Sequence, residues 1–388
     1  MERPKKIPNK RPKRSNTANK TYDIQDFRKE HGISDKSQKH KEDMWYKFSD
    51  GYAKAVGVPG IPMYCGSQFI GFSDTGKSTG IYESIVAAQK VGHIPIIVDT
   101  EGNWSWEYAK SIGFKFEESV NPETGDPDIT GDFLFFQDDD LLDMYQNYNY
   151  KEGKEVTTPQ RHEAVIEDVA RLFNFFADKQ LSGELDRSIL FVWDSVGSLD
   201  CFQSVISHSS NNQWNAGVMK RAFQSFFKKL TRTKKIGYPH SMSLVSVNKI
   251  WLSPNAIGPP TVKQSGGEAW RFYNRFIAHM GGKTTSSVMR KNFKVGTTIH
   301  NFAVMAPIEI VKNQINGVTT KGDICSTPHG FVHPDDLPDY QKNNKKYFLE
   351  LMGHTRDSDI EMVITTDESV DGYDEEDHVD IMKSLRKE

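Results

Sequence analysis

The clearest chemical pattern in the chain runs from Gly71 to Ser78, which fits G-x-x-x-x-G-K-[S/T] at every fixed position. Glycines at both ends let the backbone turn tightly, so that successive N–H groups can point at one anion. Lys77 can reach the β- and γ-phosphates of a nucleotide, and the Ser78 hydroxyl can hold Mg²⁺. The motif predicts a nucleotide-binding loop whose contacts come from Gly71, Phe72, Ser73, Asp74, Thr75, Gly76, Lys77, Ser78 and Thr79.

The segments around this loop have the character of a strand before it and a helix after it. Pro62–Cys65 and Gln68–Ile70 are extended in composition, and Gly80–Val91 places most of its apolar residues on one helical face. A glycine-rich turn with a chance lysine would lack this order of strand, loop and helix. The helix would also direct the positive end of its dipole at bound phosphates.

Two further apolar segments end in acidic residues. His93–Val98 precedes Asp99 and Glu101, and Ser188–Trp193 runs into Asp194. Apolar runs of this length fit strands buried on both faces of a parallel sheet. Polar residues just past such strands lie where open α/β sheets bind ligands. We therefore predict that Asp194 completes the Mg²⁺ site begun by the serine of the loop, acting through the water shell of the metal.

The other elements are predicted from apolar periodicity and from clusters of Gly, Pro and polar residues. Helices are predicted at Asp43–Val56, Trp106–Ile112, Arg161–Gln180 and Ala216–Lys229. Strands are predicted at Phe133–Phe136, Ser243–Asn248, Thr298–Phe302 and Ile308–Val311, the last two as separate antiparallel edge strands. Loops are predicted at Cys201–Asn215 and Lys249–Gly267. Asp138–Asp140 fits a solvated turn better than the alternative of a metal site.

Composition and charge favour a polar globular protein. A chain of 388 residues can bury a substantial core, and 37% hydrophobic with 26% charged residues is ordinary for a soluble protein. No apolar run approaches the ~18 residues that cross a bilayer, and no signal-peptide core is present. The three cysteines show neither paired nor metal-binding spacing. We expect a cytoplasmic protein that makes no membrane contact.

The two ends of the chain carry opposite charge, although the net charge is only −3. Residues 1–20 hold eight Lys or Arg side chains, and residues 357–380 hold eleven Asp or Glu side chains. Such ends are usually solvated tails, although a basic arm and an acidic tail also suit a protein that handles nucleic acid. We predict a partly disordered basic arm at 1–42, a core at 43–335, and an extension at 336–388 with a disordered acidic tail.

Several stretches beyond the loop together resemble the RecA family of DNA recombinases. They are Asp99-Thr100-Glu101, Val192–Val196, Ser265–Tyr273 and Ile310–Asn313, and the likeness spans about Gly57 to Gly330. An apolar strand that ends in Asp-x-Glu, placed between the nucleotide-binding loop and the Asp194 strand, is not general to proteins with such loops. The unmatched ends favour a divergent bacteriophage (UvsX-like) branch of the family, which would act in the host cytoplasm.

The resemblance implies a RecA-like P-loop NTPase core, which is an α/β fold with a largely parallel central sheet flanked by helices. It implies that Glu101 activates the water that attacks the γ-phosphate, while Lys77 and Mg²⁺ offset the developing charge. Tyr108 matches a position that stacks on adenine, although a helix tyrosine packed on the sheet would look the same. Lys312 matches a catalytic position that reaches the nucleotide of a neighbouring subunit in a filament.

Two segments, about Cys201–Gly217 and Lys249–Gly267, match the DNA-binding loops of that family. Basic side chains there would attract any strand without reading its sequence, glycine N–H groups would approach phosphates, and an aromatic ring would stack on bases. The residues that the resemblance assigns to DNA are Arg221, Lys228, Lys249, Trp251, Lys263, Gly266 and Gly267.

Three positions depart from the family pattern. Lys249 stands where the family usually has a glutamine that couples the nucleotide to the second loop. Gln314 replaces a second lysine that acts across the subunit boundary, and Ser105 replaces an acidic nucleotide contact. The hydrolytic residues remain, but coupling through Lys249 is expected to be weaker or rewired.

The predicted function is an ATP- and Mg²⁺-dependent recombinase that forms a helical filament on single-stranded DNA and exchanges strands with a homologous duplex. Single-strand-binding and mediator proteins are further expected partners. The alternatives are a hexameric DnaB-like helicase, a nucleotide-gated DNA-binding mediator without hydrolysis, and a small-molecule kinase. The Gly-Gly end of the second loop disfavours the helicase, intact Lys77 and Glu101 disfavour the mediator, and two DNA-binding loops disfavour the kinase.

Overall fold

A computed structural model describes residues 29–30, 44–122, 125, 127–209, 212–254, 261–295, 298–351 and 364–367. Contacts divide the chain into two units, residues 1–40 and 41–388, and the architecture below is that of the second unit. Apart from a helical turn at 29–30 and a short strand at 364–367, the predicted disordered ends lie outside the described residues.

Strands and helices alternate through the first part of this unit, and strands dominate after residue 274. The strands are β1 (Trp45–Lys47), β2 (Gly60–Pro62), β3 (Gly66–Gly71), β4 (Ile94–Asp99), β5 (Glu117–Val120), β6 (Pro127–Thr130), β7 (Leu134–Gln137), β8 (Tyr148–Asn149), β9 (Lys154–Glu155), β10 (Ile189–Asp194), β11 (Met242–Ser253), β12 (Thr261–Gln264), β13 (Asn274–Met280), β14 (Met289–Val295), β15 (Thr298–Asn313), β16 (Lys321–Thr327), β17 (Gly330–Val332) and β18 (Ile364–Asp367). The helices are α1 (Asp50–Val56), α2 (Lys77–Lys90), α3 (Trp106–Ile112), α4 (Asp138–Tyr145), α5 (Ile166–Ser182), α6 (Phe202–Ser207), α7 (Asn212–Arg232), α8 (Gly267–Tyr273), α9 (Leu337–Asn343) and α10 (Lys345–Leu351), with a 3₁₀ turn at Pro334–Asp336.

The core is a large sheet in which neighbouring strands run parallel in the order β13–β3–β11–β10–β4–β7. Side chains on both faces of the central strand β10 are fully buried, from Ile189 to Trp193, as its continuous apolar sequence predicts. Beyond β13 the sheet continues through antiparallel β15, β16 and β17. The predicted α/β class, with a largely parallel central sheet flanked by helices, is confirmed.

Helices cover both faces of the parallel strands. On one face, α2 packs with β1 and α1 in a cluster that includes Phe69, Ile85 and Ile97. On the other face, α5, α7 and α8 surround Trp193, whose ring stacks on Phe223 with centroids 5.5 Å apart. Because both faces are packed, the register of the strands is fixed, and the residues at their carboxyl ends have defined positions.

Several predictions of local structure are wrong. Residues 43–56 do not form one helix, because β1 pairs antiparallel with β2 before α1 begins at Asp50. Asp138–Asp140 opens α4 and does not form a turn, since carboxylates in a first turn are stabilised by the positive end of the helix. The two edge strands predicted in the region 298–311 are one continuous strand, β15.

The segment predicted as helix from Arg161 becomes helical only at Ile166. Arg161 is instead buried and forms a two-bond ion pair with Asp168, which also accepts a hydrogen bond from the Val165 N–H. The predicted loop at Cys201–Asn215 contains α6 and the start of α7. Most of the described part of the predicted loop at 249–267 is a hairpin of β11 and β12, whose tip at 255–260 lies outside the described residues.

The helices α9 and α10 lie beyond the predicted core boundary at residue 335. They share a hydrophobic cluster with β14 and β15 that contains Phe293, Phe302, Leu337 and Phe348. None of the helices within the described ranges is long and apolar enough to cross a lipid bilayer.

Candidate nucleotide-binding site

The Gly71–Ser78 loop joins the end of β3 to the start of α2, as predicted. Gly71 lies against β13, and a Cβ atom there would be 2.1 Å from the Met280 carbonyl oxygen. Gly76 has a φ of 89°, and its Cβ would be 2.1 Å from Ser326 Oγ. Gly71 is therefore required by the close approach of the β13 backbone, and Gly76 is required by its left-handed conformation.

The residues between the two glycines form a tight, partly exposed turn. Thr75 is buried and its hydroxyl donates a hydrogen bond to the Phe72 carbonyl oxygen at 3.0 Å. Asp74 adopts a φ of 60° and is exposed, as are Ser73 and Ser78. The exposed Ser78 hydroxyl, in the first turn of α2, is accessible to a metal–nucleotide complex.

The Lys77 side chain is buried inside the loop, and its ammonium donates to the Phe72 carbonyl oxygen. Burial lowers the pKa of Lys77 to about 8, although the carboxylates of Asp194 and Glu101 oppose the shift. The ammonium is poorly solvated, so a bound polyphosphate would stabilise its charge as water does for an exposed lysine. This is the chemistry expected of the motif lysine.

Strands β4 and β10 end side by side at the same edge of the sheet. Asp99 is in register with Asp194, and the Thr100 N–H donates to the Asp194 carbonyl oxygen at 2.7 Å. In the neighbouring pair, Lys249 of β11 lies beside Gly71 of β3. Parallel pairing thus brings two acidic strand ends, the Gly71–Ser78 loop and one lysine together.

Asp99 has a structural role at this edge. The Asp99 side chain is buried, and its carboxylate accepts hydrogen bonds from the N–H groups of Glu101 and Gly102 at 3.1 Å and of Trp104 at 3.2 Å. These bonds hold the backbone after β4 in a turn. Asp99 therefore fixes the position of Glu101, which explains why an acidic residue occurs at both ends of the Asp-x-Glu run.

Both carboxylate oxygens of Glu101 have donors. Ser195 Oγ donates to Oε1, Lys249 Nζ lies 3.2 Å from Oε2, and Asn103 Nδ2 lies 3.4 Å from the same oxygen. Burial raises the pKa of Glu101, but the donors outweigh it and hold the pKa below its ordinary value. Glu101 is ionised at neutral pH, the state in which a carboxylate can accept a proton from water.

Asp194 lies in a more negative environment. Burial, followed by the charges of Glu101 and Asp99, raises the pKa of Asp194 to about 7. A divalent cation would relieve this crowding of carboxylates, so the residues fit the predicted Mg²⁺. Within the described ranges, no group of three or more His, Cys, Asp or Glu side chains could hold a metal by itself. Ser78 and Asp194 would therefore share the ion with nucleotide and water oxygens.

A cleft of about 390 Å³ lies between α3 and strands β15 and β16. On its wall, the Tyr108 hydroxyl donates to the Thr327 carbonyl oxygen at 3.0 Å and lies 2.8 Å from Thr79 Oγ1 in α2. Ser105 and Tyr347 also line the cleft. Through Tyr108 the wall of the cleft contacts the helix that follows the Gly71–Ser78 loop, and the volume of the cleft is sufficient for a nucleobase.

The candidate DNA-binding residues lie on two elements, α7 and the hairpin of β11 and β12. In the hairpin, Trp251 pairs with Lys263, and the tryptophan is 37% exposed. Arg221 and Lys228 are exposed on α7, and their spacing of seven residues places them on one side, two turns apart. Lys263 is thus an accessible positive charge beside an accessible ring, and α7 presents two further accessible positive charges.

Gly266 and Gly267 join the end of β12 to the start of α8, and they have φ values of 79° and 62°. A Cβ atom at Gly267 would lie 3.1 Å from the Ala216 side chain of α7. At the base of the hairpin, Asn248 Nδ2 donates to the Ser265 carbonyl oxygen at 2.9 Å. The end of the hairpin therefore packs against the first turns of α7, and the two candidate DNA elements are neighbours.

Lys249 is placed differently from the other candidate DNA residues, because its ammonium contacts Glu101 at the sheet edge. Ser195 and Asn103, the other donors to Glu101, were not singled out in the sequence. The sequence contains a weak indication of their role, since Ser195 and Asn103 are polar residues within two positions of a predicted site carboxylate. Sequence spacing alone did not reveal that they converge on the same carboxylate.

Lys312 lies on β15 with its ammonium bonded to the carbonyl oxygens of Arg271, at 2.7 Å, and Phe272, at 3.2 Å. These carbonyls belong to the last turn of α8, where a cation is favoured by the helix dipole. Phe272 is 74% exposed, and its sequence context predicts no role for it. Lys312 Nζ thus lies 5.8 Å from the centroid of an exposed aromatic ring.

No protein-family model matches this chain, and no curated protein is significantly similar to it in sequence. Its function is therefore inferred from the geometry of this sheet edge and of the hairpin that extends from it.

Proposed function

We propose that this protein is an ATP-dependent DNA recombinase of the RecA type, which polymerises on single-stranded DNA and hydrolyses ATP when DNA is bound. The observation that carries the proposal is the convergence at one sheet edge. Three groups meet there: the buried Lys77 of the loop, the ionised Glu101, and Asp194 at the end of an apolar strand. The strand beside the loop leads directly into an exposed hairpin.

In this proposal the loop binds the triphosphate. Backbone N–H groups of the loop and the N-terminus of α2 hold the phosphates, and Lys77 neutralises the β- and γ-phosphates. Ser78 and Asp194 would hold Mg²⁺, which when bound offsets charge on the phosphate oxygens. Tyr108 and the cleft beside it would receive the base.

Glu101 is the proposed general base. Its ionised carboxylate would orient a water molecule toward the γ-phosphorus and take its proton as the new P–O bond forms and ADP leaves. Asp99 fixes the backbone of Glu101, and Ser195 orients its Oε1. The protein therefore contributes position and charge, which is what phosphoryl transfer requires.

The hairpin and α7 are the proposed DNA-binding surface. Arg221, Lys228 and Lys263 would contact phosphates regardless of sequence, and Trp251 would stack on bases. Lys312 and the exposed Phe272 would face the nucleotide site of the next subunit in a filament, which would make hydrolysis depend on assembly. A homologous duplex would enter as the second DNA substrate.

Two measurements on the purified full-length chain test the proposal. The first is ATP hydrolysis with and without a single-stranded oligonucleotide, and we expect the DNA-bound rate to exceed the DNA-free rate clearly. Equal rates, or failure to retain ATP, would refute the proposal. The second is electron microscopy with single-stranded DNA and a slowly hydrolysed ATP analogue. Helical filaments support the recombinase, whereas closed rings would assign the same active site to a hexameric helicase.

A further inference from the structure

The contacts of Glu101 conflict with its proposed role as a base. Its Oε1 accepts a hydrogen bond from Ser195, and its Oε2 is shared by Lys249 and Asn103. A carboxylate has about four acceptor sites, so three donors leave room for a water molecule. The positive charge of Lys249, 3.2 Å from Oε2, nevertheless opposes the transfer of a proton to this carboxylate, and Glu101 becomes a stronger base when that charge leaves.

Lys249 is the donor best able to leave. Its side chain is 54% exposed, and a lysine carries its charge on a flexible four-carbon stem. Ser195 is fully buried at the end of β10, and Asn103 lies on the turn that Asp99 holds. The Lys249–Glu101 contact is also the one that a competing phosphate would weaken, because phosphates attract an ammonium as strongly as a carboxylate does.

Lys249 is connected to the candidate DNA hairpin through its own backbone. The next residue, Ile250, forms the first pair of the hairpin with Gln264. The preceding residue, Asn248, is hydrogen-bonded through its side chain to Ser265, which directly follows the second strand of the hairpin. A displacement of the hairpin by bound DNA would therefore move the strand segment that carries the Lys249 side chain.

We propose that Lys249 is a positioning residue that restrains Glu101 through an ion pair when DNA is absent, and that DNA binding at the β11–β12 hairpin withdraws it. We call this releasable Lys249–Glu101 ion pair the latch. The inference extends the proposed function and depends on it. Lys249 would therefore inhibit ATP hydrolysis when no DNA is bound. The latch also makes the strand that carries Lys249 the link between DNA and the hydrolytic carboxylate.

The test compares the wild type with Lys249→Met, Lys249→Arg and Lys54→Met. ATP hydrolysis is measured at saturating Mg-ATP with and without a polydeoxythymidine oligonucleotide. Lys54 provides the matched control, since it pairs with Asp336 at 2.7 Å, is 45% exposed, and lies on α1 outside the candidate site.

For Lys249→Met we expect the DNA-free rate constant to rise roughly two- to fivefold, the effect of losing one half-exposed ion pair. The stimulation by DNA should fall correspondingly, and KM for ATP should stay the same. Lys249→Arg keeps the positive charge and should raise the DNA-free rate less than Lys249→Met does. Lys54→Met, outside the candidate site, should keep the wild-type rates. A DNA-free rate that is unchanged or lower in Lys249→Met would overturn the latch. A higher KM with an unchanged rate constant would also overturn it, because Lys249 would then bind the nucleotide.

A second measurement needs neither nucleotide nor DNA. Acylation of Lys249 by a lysine-specific reagent, followed by mass spectrometry, should be faster in Glu101→Gln than in the wild type, while acylation of Lys54 stays constant. Equal acylation of Lys249 in the two proteins would show that the ion pair is absent, even if the enzyme is active. If Lys249 is acylated faster in Glu101→Gln but the wild type hydrolyses no ATP on DNA, the ion pair exists and the proposed function has failed, and the control of hydrolysis by Lys249 fails with it.

Discussion

The sheet edge and the hairpin that leaves it are built by different physical means. At the edge, Lys77, Glu101 and Asp194 are at least partly buried, and burial or neighbouring charge shifts the pKa of each. Backbone hydrogen bonds to Asp99 and the register of β4 with β10 fix their positions. The geometry there is held by the packed core of the molecule.

On the hairpin and α7, by contrast, Arg221, Lys228 and Lys263 are exposed, and Trp251 is 37% exposed. In the described part of the hairpin, β12 pairs with β11 and with no other strand. The Asn248 side chain is hydrogen-bonded to Ser265 at the base of the hairpin. Chemistry on a phosphate needs groups at fixed distances, whereas binding a flexible polyanion needs accessible charge and rings. The difference predicts that substitutions at the edge change rates, and that substitutions on the hairpin and α7 change DNA affinity.

The largest effect is expected for Glu101→Gln. Loss of a general base lowers the rate by about 10²–10⁴-fold, so DNA-stimulated ATP hydrolysis should be abolished. Binding of ATP and of single-stranded DNA should persist, because the amide has nearly the shape of the carboxylate. Steady-state hydrolysis and filter binding measure the two properties. Glu155→Gln, on the exposed strand β9, is the control for a lost carboxylate, and undiminished turnover in Glu101→Gln would remove the assigned base.

The strands that form this edge could be predicted from sequence because their signals are local. A continuous apolar run identifies a strand buried on both faces, and β4 and β10 are found where such runs occur. The loop from Gly71 to Ser78 was predicted for the same reason, since its glycines are needed by the backbone itself.

The contacts between distant residues could not be predicted in this way. Ser195, Asn103 and Lys249 reach Glu101 only because three strand ends are neighbours in space. The hairpin of β11 and β12 was missed because its glycine- and proline-rich sequence favours a loop, and tertiary pairing overrides that preference. Arg161 was assigned to a helix because its partner Asp168 could not be recognised from spacing alone.

A smaller effect, confined to affinity, is expected for the double substitution Arg221→Ala and Lys228→Ala. Each lost phosphate contact reduces the salt dependence of single-strand binding by about 0.7, so the slope of log K against log salt should flatten by about 1.4 and affinity at 0.1 M salt should fall roughly 25-fold. Titration of a fluorescent oligonucleotide at several salt concentrations measures both. Lys342→Ala with Lys346→Ala removes the same charge from the C-terminal helices as a control. An unchanged slope in the α7 variant would place the DNA path elsewhere.

The smallest effect is expected on stability, for Asp194→Asn in protein free of nucleotide and metal. Because the folded pKa of Asp194, about 7, lies above its unfolded value, the folded state holds a proton that the unfolded state releases between about pH 4 and pH 7. This group therefore destabilises the fold progressively as pH rises through that window. Asparagine removes the charge, so the variant should be more stable than the wild type at pH 7.5 by about 1–2 kcal/mol, and the difference should shrink at pH 5.

Urea unfolding at the two pH values, with Asp143→Asn at an exposed aspartate of α4 as control, measures this difference. A variant that is less stable than the wild type at pH 7.5 would mean that the Asp194 carboxylate is favourably paired in the fold. The sheet edge would then tolerate the Asp194 charge as readily as the hairpin tolerates its exposed charges. A stabilised variant would establish that the edge keeps a carboxylate at a cost to folding, as a site prepared for a cation does.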